Sequence, residues 1–226
     1  MSVRRLAKDQ PDSFAFNKKS EDEIKFWLTK YPEDKKASAV IPMLWIAQKQ
    51  EGWVCEPALR LIADRLEMPY IRVYEVATFY TMFNLAPVGE HLIQVCGTTP
   101  CMLRGSDELI SVCKNRIGKQ HEISEDGKFT WIEVECMGAC ANAPMIQLAN
   151  SDGDHYIEDL DAEQFEKLLD DLAAGKKVKY GPQSDRKASE PHGTDVLTDA
   201  SLYDGSRAKP VKLPNTEKPD SEKVGG

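Results

Sequence analysis

Residues 91–101 read HLIQVCGTTPC, and residues 129–140 read FTWIEVECMGAC. In each stretch a short apolar run directly precedes a pair of cysteines. The pairs are Cys96 with Cys101 and Cys136 with Cys140. Short apolar runs that are bounded by turn residues predict buried strands. If both strands belong to one sheet, they bring the two cysteine pairs to the same edge.

Four thiolates that converge from two loops form a metal site, and their spacing bears on which metal they hold. Structural zinc sites usually take Cys-x2-Cys pairs, whereas four and three residues separate the cysteines here. A dithiol redox enzyme needs Cys-x-x-Cys, which the sequence lacks, and a plant-type ferredoxin needs a third cysteine where Arg104 stands. The longer loops favour a [2Fe–2S] cluster, and a zinc-stabilised interaction module is the alternative.

The residues around the thiols fit this choice. Gly97 and Gly138 let backbone N–H groups approach the sulfurs, and the hydroxyls of Thr98 and Thr99 are further donors. A helix that opens just after Cys101 would point its positive end toward the site. These donors would offset the negative charge of the cluster.

The rest of this segment predicts a small α/β sandwich with a mixed sheet, in a thioredoxin-like order. We expect a helix over 104–117, a hairpin of strands 121–124 and 129–135, and a second hairpin around the turn at Asp152. Asp161 then caps a final helix.

The first part of the chain predicts an antiparallel helical bundle. Four helix starts are marked by Ser20 with Glu23, by Ser38, by Pro57 and by Pro69. The expected organisation is a helical bundle over 14–85, a thioredoxin-like domain over 86–175 and an extended or disordered tail over 176–226. The tail has scattered apolar residues and too little to bury for folding alone.

Negative charge is concentrated around the cysteines. The chain has a formal net charge of −8, with +1 on residues 1–85, −11 on residues 86–175 and +2 on residues 176–226. An acidic chain disfavours nonspecific nucleic-acid binding, and the apolar runs are too short for a membrane helix. Adding an electron to a negative cluster in an acidic segment is unfavourable, so we predict a low midpoint potential.

Other features of the sequence are assigned to packing. Cys55 and Cys113 lie on predicted helices and are expected to be buried structural thiols. The aromatic residues from Tyr74 to Phe83 favour core packing over an interface, and a helix-turn-helix at Met68 lacks base-reading side chains. No nucleotide-binding or nucleophile motif occurs, so we predict no catalytic residue in this chain.

Five stretches of the sequence resemble one family, the thioredoxin-like [2Fe–2S] subunits of respiratory NADH:quinone oxidoreductase (complex I). The resemblance covers about residues 14–186. The stretches are CGTTPCMLRGS from Cys96, CMGACANAP from Cys136, IPMLWIAQKQEGW at 41–53, EVATFYTMF at 75–83 and GPQSDR at 181–186.

The resemblance implies an α+β chain in which Cys96, Cys101, Cys136 and Cys140 ligate one [2Fe–2S] cluster. It implies docking onto the subunit that binds FMN and NADH, beside a neighbouring iron–sulfur subunit of the peripheral arm. The subunit would lie peripherally on the cytoplasmic side of a bacterial inner membrane, or the matrix side in mitochondria, and would exchange one electron with the flavin. Relatives in NAD-linked hydrogenases and formate dehydrogenases are the alternative setting.

Overall fold

The structure, a computed structural model, describes residues 4–189. Within this range the chain forms seven α-helices and five strands. The helices are α1 (Lys18–Leu28), α2 (Val40–Glu51), α3 (Glu56–Leu66), α4 (Tyr70–Phe79), α5 (Thr99–Leu103), α6 (Ser106–Arg116) and α7 (Ala162–Ala173). The strands are β1 (His91–Cys96), β2 (Phe129–Val134), β3 (Met145–Asn150), β4 (Gly153–Glu158) and β5 (Gly181–Pro182). Across the described range, no helix has the length and apolar content that a bilayer span requires.

Helices α1–α4 form the predicted bundle. The apolar positions of α3 recur at helical spacing, so Leu59, Ile62 and Leu66 all fall on one buried face. They join a core that includes Ile24 of α1 and Leu44 of α2. The bundle therefore encloses an apolar core of its own.

Two predicted helix starts were wrong. Helix α1 begins three residues earlier than the Ser20 cap implied, because Asn17 accepts a hydrogen bond from the Ser20 N–H at 2.9 Å. The Ser20 hydroxyl instead donates to Oε1 of Gln50 at 2.8 Å. Ser38 does not cap α2, because it lies within a 3₁₀ helix, Glu33–Ala39, that runs directly into α2.

The five strands form one mixed sheet in the order β2-β1-β3-β4-β5. Strands β1 and β2 are parallel, with Cys96 opposite Val134, and β3 is antiparallel to both β1 and β4. The prediction of a helical bundle followed by an α/β domain with a mixed sheet is confirmed. The expected strand at 121–124 is reduced to a single bridge between Ile123 and Thr130.

The helix expected over 104–117 is divided in two. Gly105 adopts a φ of +108°, which ends α5 and starts α6. Helix α5 already begins at Thr99, so Cys101 lies within the helix and not before its first turn. The expectation that a helix opens after Cys101 was therefore wrong.

Helices α6 and α7 cover the sheet and close a second core. Asp161 caps α7 as predicted, and Gln164 completes the capping box. Phe165 of α7 and Leu109 of α6 are fully buried against Ile93 and Trp131 of the parallel strands. This core packs against the two strands that lead to the cysteines.

The aromatic residues at the end of α4 are divided between the core and the surface. Phe83 is fully buried and packs edge-on against Trp45, as predicted for a core residue. Phe79 is 77% exposed and Tyr80 is 38% exposed, because the chain leaves the helix at Tyr80 in an extended conformation. The core assignment therefore holds for only part of this group.

The start of the predicted tail belongs to the sheet. Strand β5 lies parallel to β4, with Gly181 opposite Ile157 and Pro182 opposite Glu158. Most of the predicted tail, residues 190–226, lies outside the described residues. The division at 85 and 175 stays a proposal, supported by the two separate buried cores.

A substitution at Gly89 measures how tightly the segment after the bundle packs on β2. A Cβ at Gly89 would lie 2.7 Å from the carbonyl carbon of Phe129 and 2.8 Å from its nitrogen. We expect Gly89→Ala to lower the free energy of unfolding by about 1–3 kcal/mol, because backbone atoms in a sheet cannot move aside. Urea unfolding followed by circular dichroism measures this change.

Gly97→Ala is the matched control for this substitution. Its Cβ would meet the carboxylate of Glu133, whose exposed side chain can swing away. We therefore expect a smaller loss of stability. An equal loss in both variants would contradict the packing argument.

Candidate metal centre

The parallel pairing of β1 and β2 brings the two cysteine pairs together. Cys96 is the last residue of β1, and Cys136 follows two residues after the end of β2. Cys101 is the third residue of α5, and Cys140 begins the 3₁₀ helix Cys140–Asn142. Because neighbouring parallel strands end at the same edge of a sheet, all four thiols lie at one edge, as the sequence predicted.

The first pair is buried. Cys96 and Cys101 are each 1% exposed and pack against Ala139 and Met145. Burial, followed by the adjoining Cys96 sulfur, raises the pKa of the Cys101 thiol to about 12. A metal ion that binds Cys101 must therefore displace the proton of this thiol.

The second pair is exposed. The sulfurs of Cys136 and Cys140 lie 3.3 Å apart, and the Gly138 N–H points at the Cys136 sulfur from 3.4 Å. This N–H donor is the largest cause that lowers the pKa of Cys136, whereas the hydrogen bond with Cys136 raises the pKa of Cys140. Gly138 has a φ of +88°, which suits glycine and supports the predicted role of this residue.

Thr98 links the two pairs. Its hydroxyl lies 3.3 Å from the Cys96 sulfur and also interacts with Cys136, where it lowers the pKa of the thiol. Cys140 in turn acts electrostatically on Cys101. All four thiols therefore share one electrostatic environment. The sequence analysis expects both Thr98 and Thr99 to donate to sulfur. The hydrogen bonds to sulfur described above involve Thr98.

Two groups that support the second cysteine loop, residues 136–142, escaped the sequence analysis. The Tyr156 hydroxyl of β4 donates to the carbonyl oxygen of Met137 at 2.7 Å. Asn142 is 3% exposed, and its carbonyl oxygen accepts from the Asp159 N–H at 2.8 Å. Neither contact can be predicted from residue spacing, because each joins residues that only the fold brings together.

Cys55 and Cys113 lie apart from this centre. Cys55 is 2% exposed in the core of the bundle, and Cys113 is fully buried in the core behind the sheet. Burial raises the pKa of Cys113 to about 12 and also raises that of Cys55. Both are the buried thiols that the sequence predicted.

The donor set fits a [2Fe–2S] cluster. The four thiols form two close pairs at one edge of the sheet, and four cysteine thiolates are the ligands that hold such a cluster. A structural zinc ion also takes four cysteines, so metal analysis distinguishes the two.

Comparisons with known proteins identify the family to which this chain is similar. The family model for thioredoxin-like [2Fe–2S] ferredoxins matches residues 24–173. An NADH-quinone oxidoreductase subunit of Rhizobium meliloti (strain 1021) is 50% identical over 199 residues, which cover 85% of this chain and 71% of the relative. The corresponding NADH-quinone oxidoreductase subunit of Rickettsia bellii (strain RML369-C) is 51% identical over 162 residues, which cover 71% of this chain and 95% of the relative.

One solved structure extends the comparison. The NAD+-reducing [NiFe]-hydrogenase in its H2-reduced state superposes with a TM-score of 0.52 at 17% identity. The match covers 60% of this chain and 22% of the hydrogenase chain. At that identity the likeness shows a shared fold, and the matched region makes up about a fifth of the larger hydrogenase chain.

Proposed function

This chain belongs to the thioredoxin-like [2Fe–2S] ferredoxin family, and we propose that it is the electron-carrying [2Fe–2S] subunit of an NADH:quinone oxidoreductase. In this proposal Cys96, Cys101, Cys136 and Cys140 ligate the cluster. The observation that carries it is the meeting of two thiol pairs at the ends of β1 and β2. Identities near 50% with subunits named for that complex support the assignment.

The residues around the thiols would stabilise the negative charge of a bound cluster and shield one side of it from water. A [2Fe–2S] cluster, when held by four thiolates, takes up and releases a single electron. The Thr98 hydroxyl and the Gly138 N–H donate toward sulfur and stabilise negative charge there. Cys96 and Cys101 shield one side from water, whereas exposed Cys136 and Cys140 leave the other side open to a partner.

The partner subunits would carry out the catalysis. This chain would exchange one electron with the flavin of the subunit that binds FMN and NADH, and would contribute no active site of its own. A neighbouring iron–sulfur subunit of the peripheral arm would complete its surroundings. The chain would lie peripherally on the cytoplasmic side of the bacterial inner membrane.

Charge predicts a low midpoint potential for this centre. Residues 86–175 carry a net charge of −11, and reduction adds a further negative charge. We expect a negative midpoint within the range of roughly −700 to +450 mV that iron–sulfur centres cover. An EPR-monitored redox titration measures it, and a clearly positive midpoint would contradict the charge argument.

Metal analysis and electron transfer test the function. We expect about two irons and two sulfides per chain, a brown colour, and one EPR signal after reduction with dithionite. NADH should reduce the chain only when the flavin-binding partner is present. A colourless chain that contains zinc and no iron would support the interaction module instead.

The alternative setting is an NAD-linked hydrogenase or formate dehydrogenase. The shared fold with the [NiFe]-hydrogenase is compatible with that setting, whereas the much higher identity with oxidoreductase subunits favours the first. Affinity purification of the tagged chain separates them, because the chemistry is the same and the co-purifying subunits differ.

A further inference from the structure

The GPQSDR stretch, residues 181–186, has no part in the function proposed so far. It is the first part of a strap, residues 181–189, which begins with β5 and continues along the end of β4. Its backbone is fixed at two points on Glu158. The Gln183 N–H donates to the Glu158 carbonyl oxygen at 2.8 Å, and the Ser189 N–H donates to both carboxylate oxygens at 3.1 and 3.3 Å.

Asp159 connects the strap to the body of the domain. Its side chain is only 8% exposed, and it accepts hydrogen bonds from Nη1 of Arg186 at 2.8 Å and from Oγ of Ser184 at 2.6 Å. The Asn142 amide nitrogen lies 3.4 Å from the same carboxylate. A nearly buried carboxylate requires such partners, and Arg186 neutralises its charge.

The strap also holds the second cysteine loop directly. Nη2 of Arg186 donates to the carbonyl oxygen of Ala141, the residue after Cys140. The Asn142 amide nitrogen donates to the Lys187 carbonyl oxygen at 2.7 Å. Arg186 therefore spans two acceptors, one on the end of β4 and one on the loop that carries an exposed thiol.

We propose that Arg186 is a positioning residue that fixes Cys140 for cluster ligation and places a positive charge beside it. The inference rests on the proposed ligand assignment. Only arginine presents a rigid fork that serves both acceptors at once, whereas lysine supplies the charge without the fork. Substitution of Arg186 by lysine therefore separates the effect of its geometry from the effect of its charge.

Two variants of the full chain test this role. We expect Arg186→Ala to lose iron to a chelator at least fivefold faster than the unaltered chain, and to shift the midpoint potential to more negative values. Arg186→Lys should keep the midpoint near that of the unaltered chain and lose iron at an intermediate rate. In these variants the midpoint potential should depend on the charge at position 186, whereas the rate of iron loss should depend on the geometry of the side chain. A residue that only supported the fold would not separate the two measurements in this way.

Arg116→Ala is the matched control, because Arg116 also spans two groups, the carboxylates of Glu166 and Asp170, but lies outside the cysteine loops. It should change neither the rate nor the potential. If Arg186→Ala does not fold, Ser184→Ala removes one Asp159 partner and should still accelerate iron loss. Iron loss at the unaltered rate in Arg186→Ala, or in Ser184→Ala where that variant replaces it, overturns the inference, whereas an iron-free unaltered chain overturns the proposed function itself.

Discussion

Replacing any of the four proposed ligands by alanine is expected to abolish the [2Fe–2S] centre. Iron should fall from about two per chain to near zero, and the EPR signal of the reduced chain should disappear. The physical reason is that one iron would lose one of its two thiolates. Iron and sulfide analysis of the purified variants measures the effect. The variants are Cys96→Ala, Cys101→Ala, Cys136→Ala and Cys140→Ala.

Loss of iron in these variants should not reflect unfolding. Cys101 is buried among apolar side chains and behaves as a small hydrophobic residue, so alanine keeps most of its packing. Cys136 is exposed, so its truncation removes little buried surface. We therefore expect far-UV circular dichroism close to that of the unaltered chain without its cluster.

Cys55→Ala and Cys113→Ala are the controls, because they make the same chemical change in the two apolar cores. Both variants should retain iron and the EPR signal. Retention of the signal in Cys136→Ala would show that the ligand assignment is wrong. Loss of the signal in folded Cys113→Ala would show that the centre depends on more than the four thiols.

The sequence predicted that the four thiols meet at one sheet edge, because the determinants of that meeting are local. Cys96 directly follows one predicted strand and Cys136 directly follows the other, so strand prediction alone placed both pairs. The structure confirms that the two strands belong to one sheet and shows that they are parallel neighbours. The family match over 24–173 agrees with the predicted thioredoxin-like fold.

Helix boundaries were less accurate because competing signals lie close together. Asn17 and Ser20 are both good N-caps, and the contact of Ser20 with Gln50 decides between them. The break at Gly105 has a similar origin, since one glycine within an apolar pattern is compatible with a continuous helix. Tertiary contacts settle such choices, and they are absent from local patterns.

The strap was beyond sequence reasoning for a different reason. Arg186 and Ala141 are 45 residues apart, and the acceptor on Ala141 is a backbone carbonyl that any residue provides. No side-chain pattern can therefore reveal the contact. The sequence marks residues 181–186 only by their resemblance to the family, and the polar composition of this stretch favours an extended tail.

Trp131→Ala is expected to be the most destabilising core substitution that we propose. Trp131 is 2% exposed at the centre of β2, where it lies opposite Ile93 of β1. Truncating a buried Trp costs about 3–5 kcal/mol, a large part of the roughly 5–15 kcal/mol that stabilises a typical domain. Urea unfolding of the chain without its cluster, followed by circular dichroism, measures the loss.

Two further variants separate the sources of this effect. Trp131→Phe keeps the aromatic packing but loses the hydrogen bond from Nε1 to the Gly118 carbonyl oxygen, which measures 2.9 Å. It should therefore cost about 1–3 kcal/mol, mainly for the unpaired carbonyl. Trp27→Ala makes the same truncation at a site that is 39% exposed and should cost less than either.

The effect should reach the metal centre, because β1 and β2 lead directly to the two cysteine loops. Trp131→Ala is expected to retain less iron than the unaltered chain at moderate urea concentrations, whereas Trp27→Ala should retain the same amount. The contrary result is a Trp131→Ala variant that keeps its iron at urea concentrations at which its sheet has already unfolded. It would show that the metal centre does not depend on the strands. That result would mean that the cysteine loops hold their geometry without the parallel pair beneath them.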